Sequence, residues 1–403
     1  MTGPDYVLAM FARLHPAPLV VRRASGTRPH QRARYLLLPT QGQPRLIVPA
    51  GRPFAAARAA RRQLNGDRLR TRAARLATTF AVGSGLFEKA VRLHLVVEGP
   101  ADTTSVEGLL RSILGVDDLL LAMSVGQPRA TRKPVLQVFD ARGNVLAFVK
   151  IGHDPLTRRL VESEAQTLQR LGRAVLRSTR APRVLGLERW AGLSLLVLEP
   201  LPVRGRRLRG EAQRDALVTS VREIALLPGS AGPSWRKSPM REALNNELTT
   251  SGDRAGGLLR EFERLDHEPV DVRLGCWHGD LNPGNMAALR TQTLVWDWER
   301  FEQGVPVGYD LLHHDLQTWI TEQGTPPLEA AHRLLVQAAQ MLAPLGVPPE
   351  AAEQTARLYL LTLGSRYARD QQAEAGSHVG NVDTWIVPAL QAVPGSPTYR
   401  TRR

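Results

Sequence analysis

The 403-residue sequence predicts an α+β fold in two lobes, preceded by an additional α/β segment. Three observations point to it. Apolar runs at hairpin spacing fill 118–152 with no helical pattern between them. Residues 156–173 then place Leu156, Leu160, Ala165, Leu168 and Leu171 close to helical spacing. Beyond 210 helical patterns dominate, broken by a Pro/Gly/Ser-rich loop near 228–239 and a strand-turn-strand stretch at 272–298. A small antiparallel sheet with one helix, followed by a mainly helical lobe, satisfies all three.

Each element has its own local reason. YLLLP at 35–39 and RLIVP at 45–49 read as strands joined by the turn-prone TQGQP. PFAAARAARRQL at 53–64 reads as a helix with Pro53 in its first turn. RLHLVV at 92–97 is strand-like, and SVEGLLRSIL at 105–114 is a helix opened by Ser105. The runs DLLLAMSVG (118–126), PVLQVFD (134–140) and NVLAFVKIG (144–152) form three strands, the last two joined by a turn at 140–144. RVLGLERW (183–190) and LSLLVLEPL (193–201) form a further hairpin. The expected organisation is a basic α/β extension or cap over 1–117 and a first lobe with its connecting segment over 118–202. A second lobe over 203–398 and a basic tail over 399–403 complete it.

Composition narrows the classes. Hydrophobic residues make up 43% and charged residues 23%, the balance of a globular chain with a packed core. The single cysteine, Cys276, excludes an internal disulfide and a Cys-rich zinc site, and it reads as a small buried strand residue. No apolar run is long enough to span a bilayer, and the N-terminus does not read as a signal peptide, so a soluble, cytoplasmic protein is expected. The formal charge is +15, with 53 basic residues against 38 acidic ones. It is unevenly spread, because residues 1–75 hold 15 arginines and only Asp5 and Asp67 as acids. That zone would suit nucleic acid or an anionic surface, or it is a solvated face made by a composition biased toward Arg. Lysine is scarce: Lys89, Lys133, Lys150 and Lys237 are the only four.

The chemistry-bearing residues sit in CWHGDLNPGN at 276–285 and LVWDWERF at 294–301. Asp280, Asn285 and Asp297 supply hard oxygen groups of the kind Mg²⁺ takes when water and phosphate complete its shell. A carboxylate left off the metal can receive or orient a hydroxyl proton. His313 and His314 are adjacent on a helix and point about 100° apart, so they do not read as a joint metal site. There is no Walker A sequence, and GSG at 83–85 lacks the third glycine of a dinucleotide fingerprint.

HGDLNPGN resembles the catalytic loop of the aminoglycoside phosphotransferase and choline kinase family, whose fold is protein-kinase-like. The resemblance extends from about 118 to 320, and the motifs stand in the family's order. It implies a Mg²⁺-dependent transfer of the γ-phosphoryl group of ATP to a hydroxyl of an amino alcohol, aminosugar or sugar. It makes Asp280 the catalytic base or hydroxyl-orienting residue, Asn285 and Asp297 the Mg²⁺ ligands, and His278 and Asp310 supports of the loop. It places Lys150 of AFVK on the nucleotide phosphates, paired with Glu164 in preference to Glu162. LVLEPLP at 196–202 resembles the hinge, whose backbone at Glu199 and Leu201 would bind adenine. The loop 124–134 has one glycine where the family is Gly-rich, and Lys133, Arg129 or Arg132 would replace those contacts. A catalytically silent nucleotide-binding protein and a polyanion binder acting through residues 1–75 are the alternatives. The acidic residues of 301–398, ten against four arginines, would suit a cationic or polyhydroxy acceptor.

Overall fold

The computed structural model describes residues 4–25, 30–38, 45–63, 94–100, 103–126, 131–203, 207–228, 235–267, 272–374, 376 and 379–392. The expected turn at 40–44, the GSG at 83–85, Arg129, residues 229–234 of the expected loop and the tail at 399–403 lie outside them. The chain divides into two compact units, Met1–Ala165 with Arg183–Pro200, and Gln166–Pro182 with Leu201–Arg403.

The first unit opens with α1 (Pro4–Leu14), β1 (Val20–Ala24), β2 (Gln31–Leu38), β3 (Leu46–Pro49), α2 (Pro53–Gln63), β4 (His94–Glu98) and α3 (Val106–Leu114). It continues with β5 (Leu120–Val125), β6 (Pro134–Phe139), β7 (Val145–Gly152), the helix α4 (Pro155–Leu171), whose residues from Gln166 on are counted in the second unit, β8 (Val184–Trp190) and β9 (Leu193–Leu198). The nine strands form one antiparallel sheet in the order β1-β4-β2-β3-β5-β6-β7-β9-β8. Residues on the two sides of the expected 117/118 boundary therefore share one sheet, joined where Leu46 pairs with Ser124 and Ile47 with Met123.

Alternation along the strands sends successive side chains to opposite faces. Tyr35 and Leu37 of β2 enter a core with Val7, Met10, Phe11 and Leu14 of α1 and Val106 and Leu110 of α3. Leu36 and Leu38 enter the opposite core, where Ala55, Ala56, Ala59 and Ala60 of α2 lie close against the sheet. Ser105 caps α3 by accepting from the Gly108 N–H at 3.3 Å. The turn after β6 closes with Asp140 Oδ1 accepting from the Asn144 N–H at 2.7 Å, as the Asp and Asn there imply. Several of the N-terminal arginines bond inside this unit. Arg58 of α2 donates to the Gly143 carbonyl at 2.7 Å, Arg32 to the carbonyls of Pro100 and Thr103, and Arg22 pairs with Glu98.

The second unit is mainly helical. It holds the two-residue strand Thr179–Arg180, then α5 (Glu211–Ala225), α6 (Pro239–Ser251), α7 (Gly256–Asp266), β10 (Leu274–Trp277), β11 (Met286–Ala288), β12 (Thr293–Val295) and β13 (Glu302–Pro306). The helices α8 (Tyr309–Gln317), α9 (Pro327–Leu342), α10 (Pro349–Arg369) and α11 (Ile386–Gln391) follow. Strands β10 and β13 pair antiparallel, and β11 and β12 form a hairpin with Met286 opposite Val295. The loop 278–285 connects the two pairs, so its ends are fixed by both. Some of the acids of 301–398 are drawn inward: Asp310 and Asp370 are buried, Asp370 pairs with Arg300, and Asp315 pairs with Arg214. Among the described residues no helix is long and apolar enough to cross a membrane.

Candidate active site

In the first unit, Lys150 stands in β7 between Val135 of β6 and Leu196 of β9. Its Nζ donates to both carboxylate oxygens of Glu164 of α4 at 2.6 Å. The Glu164 side chain is fully buried and that of Lys150 is 13% exposed. Removing either partner would strand a buried charge, at a cost of about 3–5 kcal/mol. The neighbouring Glu162 turns elsewhere, to Arg189 at 2.6 Å and the Ser194 hydroxyl at 3.1 Å. Two residues of helix, about 200° of rotation, thus put the two glutamates that the sequence offered on opposite sides of α4. Arg132 is also committed: its guanidinium lies 4.2 Å from the Tyr6 ring centroid.

Of the two residues expected to form a hinge, Glu199 is the penultimate residue of its stretch of the first unit, and Leu201 is where the second unit resumes. The Glu199 N–H donates to the Arg183 carbonyl at 3.0 Å, and its side chain accepts from Arg183 Nε at 2.7 Å. Leu201 is buried, and its carbonyl accepts from the Val203 N–H at 2.8 Å.

In the second unit the loop 278–285 is held from below by Asp310, the second residue of α8. Its buried carboxylate accepts from the His278 N–H at 2.7 Å and the Gly279 N–H at 3.2 Å. Burial raises the Asp310 pKa to about 7, against the opposing pull of those two N–H groups. Gly279 has φ +87°, and a Cβ there would sit 1.9 Å from the Arg300 carbonyl oxygen, so the HGD turn requires glycine. Arg366 of α10 donates to the Gly279 carbonyl and lies 4.6 Å from the Trp277 ring centroid.

His278 is a fixed neutral spacer. Its Nδ1 accepts from the Asp280 N–H at 3.2 Å, so Nε2 carries the proton and donates to the Trp296 carbonyl at 3.1 Å. Burial lowers its pKa to about 4, which keeps it uncharged at neutral pH. The ring thereby ties the start of the loop to the end of the β11–β12 hairpin. Cys276 is buried, and burial raises its thiol pKa to about 11, consistent with an inert packing role.

The Asp280 side chain is 39% exposed and meets three side-chain donors. Oδ1 accepts from His313 Nε2 at 3.0 Å and from Asn282 Nδ2 at 3.1 Å; Oδ2 accepts from Asn285 Nδ2 at 2.9 Å. Burial pushes the carboxyl up, yet the His313 hydrogen bond and charge outweigh it and hold Asp280 below the usual aspartate range. Both amides have assigned orientations. Asn282 Oδ1 accepts from the Gly284 N–H at 2.8 Å, and Asn285 Nδ2 also donates to the Asp280 carbonyl at 2.9 Å. The Asn285 Oδ1 edge is therefore turned away from Asp280.

Asn285 and Asp297 flank the open end of the β11–β12 hairpin. Met286 pairs with Val295, and the Trp296 N–H donates to the Asn285 carbonyl at 3.0 Å. Asp297 follows directly, with φ 74° and ψ 51°, a left-handed conformation that Asp tolerates better than most residues. An amide oxygen and a carboxylate at one hairpin end form a hard-oxygen pair, and such donors fit Mg²⁺.

The structure thus brings together Lys150 with Glu164 in one unit, and His278, Asp280, Asn285 and Asp310 in the other, with Asp297 beside Asn285. Sequence reasoning missed His313, Tyr359 and Arg366. The signal for His313 was its spacing: Asp310 and His313 stand three apart on α8 and share a face, and Asp310 already binds the loop.

This chain is similar to solved structures of small-molecule kinases. One is described as a fructosamine-3-kinase of Haemophilus somnus, at 13% identity and TM-score 0.45 over 71% of this chain and 97% of that one. An aminoglycoside phosphotransferase of Streptomyces rimosus, solved with ADP and streptomycin, matches at 15% and 0.38 over 63% and 96%. A choline kinase of Cryptosporidium parvum matches at 12% and 0.44 over 71% and 94%. No family model and no curated protein matches the sequence.

Proposed function

We propose that this chain is a phosphotransferase that moves the γ-phosphoryl group of ATP to a hydroxyl of a small molecule, with Mg²⁺ as cofactor. The observation that carries the reading is the state of Asp280: a partly exposed carboxylate, held ionised and fixed by three side-chain donors. A carboxylate accepts about four hydrogen bonds, and the remaining position on Oδ2 is where an acceptor hydroxyl would bind. There Asp280 would align the hydroxyl oxygen for attack and take up its proton.

Lys150, kept in place by Glu164, would hold the nucleotide phosphates as a compact cation. The Glu199 carbonyl and the Leu201 N–H would receive the adenine edge. Asn285 Oδ1 and the Asp297 carboxylate would hold Mg²⁺, which when bound neutralises charge on the phosphates. His278 and Asp310 hold the loop backbone and take no part in proton transfer. Positioning supplies most of the rate in such a reaction, and the network around Asp280 is built for positioning.

The test is a screen of amino alcohols, aminosugars and sugars for magnesium-dependent ATP consumption. The reading expects at least one acceptor to stimulate consumption and Lys150→Met to abolish it. ATP binding without consumption across the panel would support the silent nucleotide-binding alternative.

A further inference from the structure

Resting on that reading, we propose that His313 is a positioning residue for Asp280, and that Tyr359 sets the His313 ring. His313 lies on α8 with its side chain 3% exposed, far too enclosed to meet a substrate itself. Its Nε2 is 3.0 Å from Asp280 Oδ1, and its Nδ1 is 2.9 Å from the Tyr359 hydroxyl of α10. A carboxylate only accepts, so Nε2 carries the proton in either charge state of the ring. Burial holds the Tyr359 phenol well above its usual range, so the hydroxyl keeps its proton and can donate to Nδ1. The ring plane is fixed as well. Trp277 stands perpendicular to it at 6.4 Å between centroids, and Tyr359 meets it edge-on at 6.0 Å.

The consequence is geometric. Asn282 and Asn285 belong to the same short loop as Asp280, whereas His313 belongs to a separate helix whose residues are buried in the core. His313 therefore ties the carboxylate's rotation to a rigid element. With Oδ1 occupied by His313 and Asn282, the acceptor is directed to Oδ2. A freed carboxylate would sample orientations in which the hydroxyl is misaligned, and misplacement of about 1 Å can cost about 10²-fold in rate.

The experiment uses the full chain, with magnesium-ATP hydrolysis as the assay and water as the probe acceptor. His313→Leu is expected to lower kcat by about 10²-fold with the KM for ATP within about twofold of the parent. His313→Gln, which keeps an N–H donor, is expected to recover at least about tenfold of that loss. A residue that merely packed would move stability in both variants and leave the kcat of the folded protein alone. Asp280→Asn is assayed alongside. If it lowers hydrolysis and His313→Leu does not, the inference is overturned and the phosphotransferase reading stands; if neither lowers it, that reading fails.

A second measurement needs no variant to fold. Long-range proton–nitrogen NMR of the parent should find the His313 proton on Nε2, protected from exchange. A ring with its proton on Nδ1 alone would overturn the inference.

Discussion

Asp310 holds the candidate catalytic loop by two backbone N–H groups, and this sets what its replacement does. Asparagine can offer one oxygen to one N–H, but its amide nitrogen would face the other donor inside a buried site. An unsatisfied buried donor costs about 1–3 kcal/mol. Asp310→Asn is therefore expected to destabilise the protein by that amount in urea titration, with loss of activity, although it touches no substrate. Equal urea midpoints for parent and variant would contradict the anchoring role. At this scale the sequence was most legible. Lys150 stood out in a chain that otherwise uses arginine, and the HGD loop carried its own spacing. His313 did not, because an adjacent histidine pair invites a metal reading, and only the side chains facing it from α10 and the loop reveal its use.

Among the elements, α1 went unread in the sequence, since its stretch drew attention only as a candidate leader. Its packing shows why the omission mattered. Phe11 and Leu14 are buried against the sheet, and Nε2 of His15, just past its end, donates to Glu107 of α3 at 3.0 Å. The Tyr35 hydroxyl of β2 donates to the same carboxylate at 3.3 Å. Burial pushes Glu107 up, but the hydrogen bond and charge of His15 outweigh it and bring its pKa down to about 2. A carboxyl with a depressed folded-state pKa stabilises above its unfolded value, near 4.5, and the contribution is lost as the pH falls toward about 2. Glu107→Gln should accordingly flatten the loss of stability between those pH values, read from thermal melts at stepped pH. An unchanged slope would contradict the assignment. Strand β13 was missed for another reason: its residues, EQGVP, carry no alternation, and its pairing with β10 alone makes it a strand.

At the scale of the whole molecule, the seam between the N-terminal segment and the expected first lobe left no trace in the sequence, because strand pairing at an edge is a backbone event. Leu46 and Ile47 join β3 to β5, while α1 and α3 cover one face of strands drawn from both sides of residue 117. A chain truncated to 118–403 would expose Leu121, Met123 and Leu136, all buried in the full protein. It is expected to be insoluble or to lack a cooperative melting transition, which circular dichroism would show. A soluble, cooperatively folding fragment would make the first 117 residues a separable cap. The +15 charge also has a different meaning at this scale. Several N-terminal arginines bond to carbonyls of their own unit, so part of the surplus serves the fold.

The central claim is that Asp280 aligns the attacking hydroxyl, and Asp280→Asn tests it most directly. Phosphoryl transfer from magnesium-ATP and nucleotide affinity by calorimetry are measured on the same preparation. The account expects transfer to fall by about 10²-fold or more while the affinity for ATP stays within about threefold of the parent. Unchanged transfer at intact affinity would contradict it.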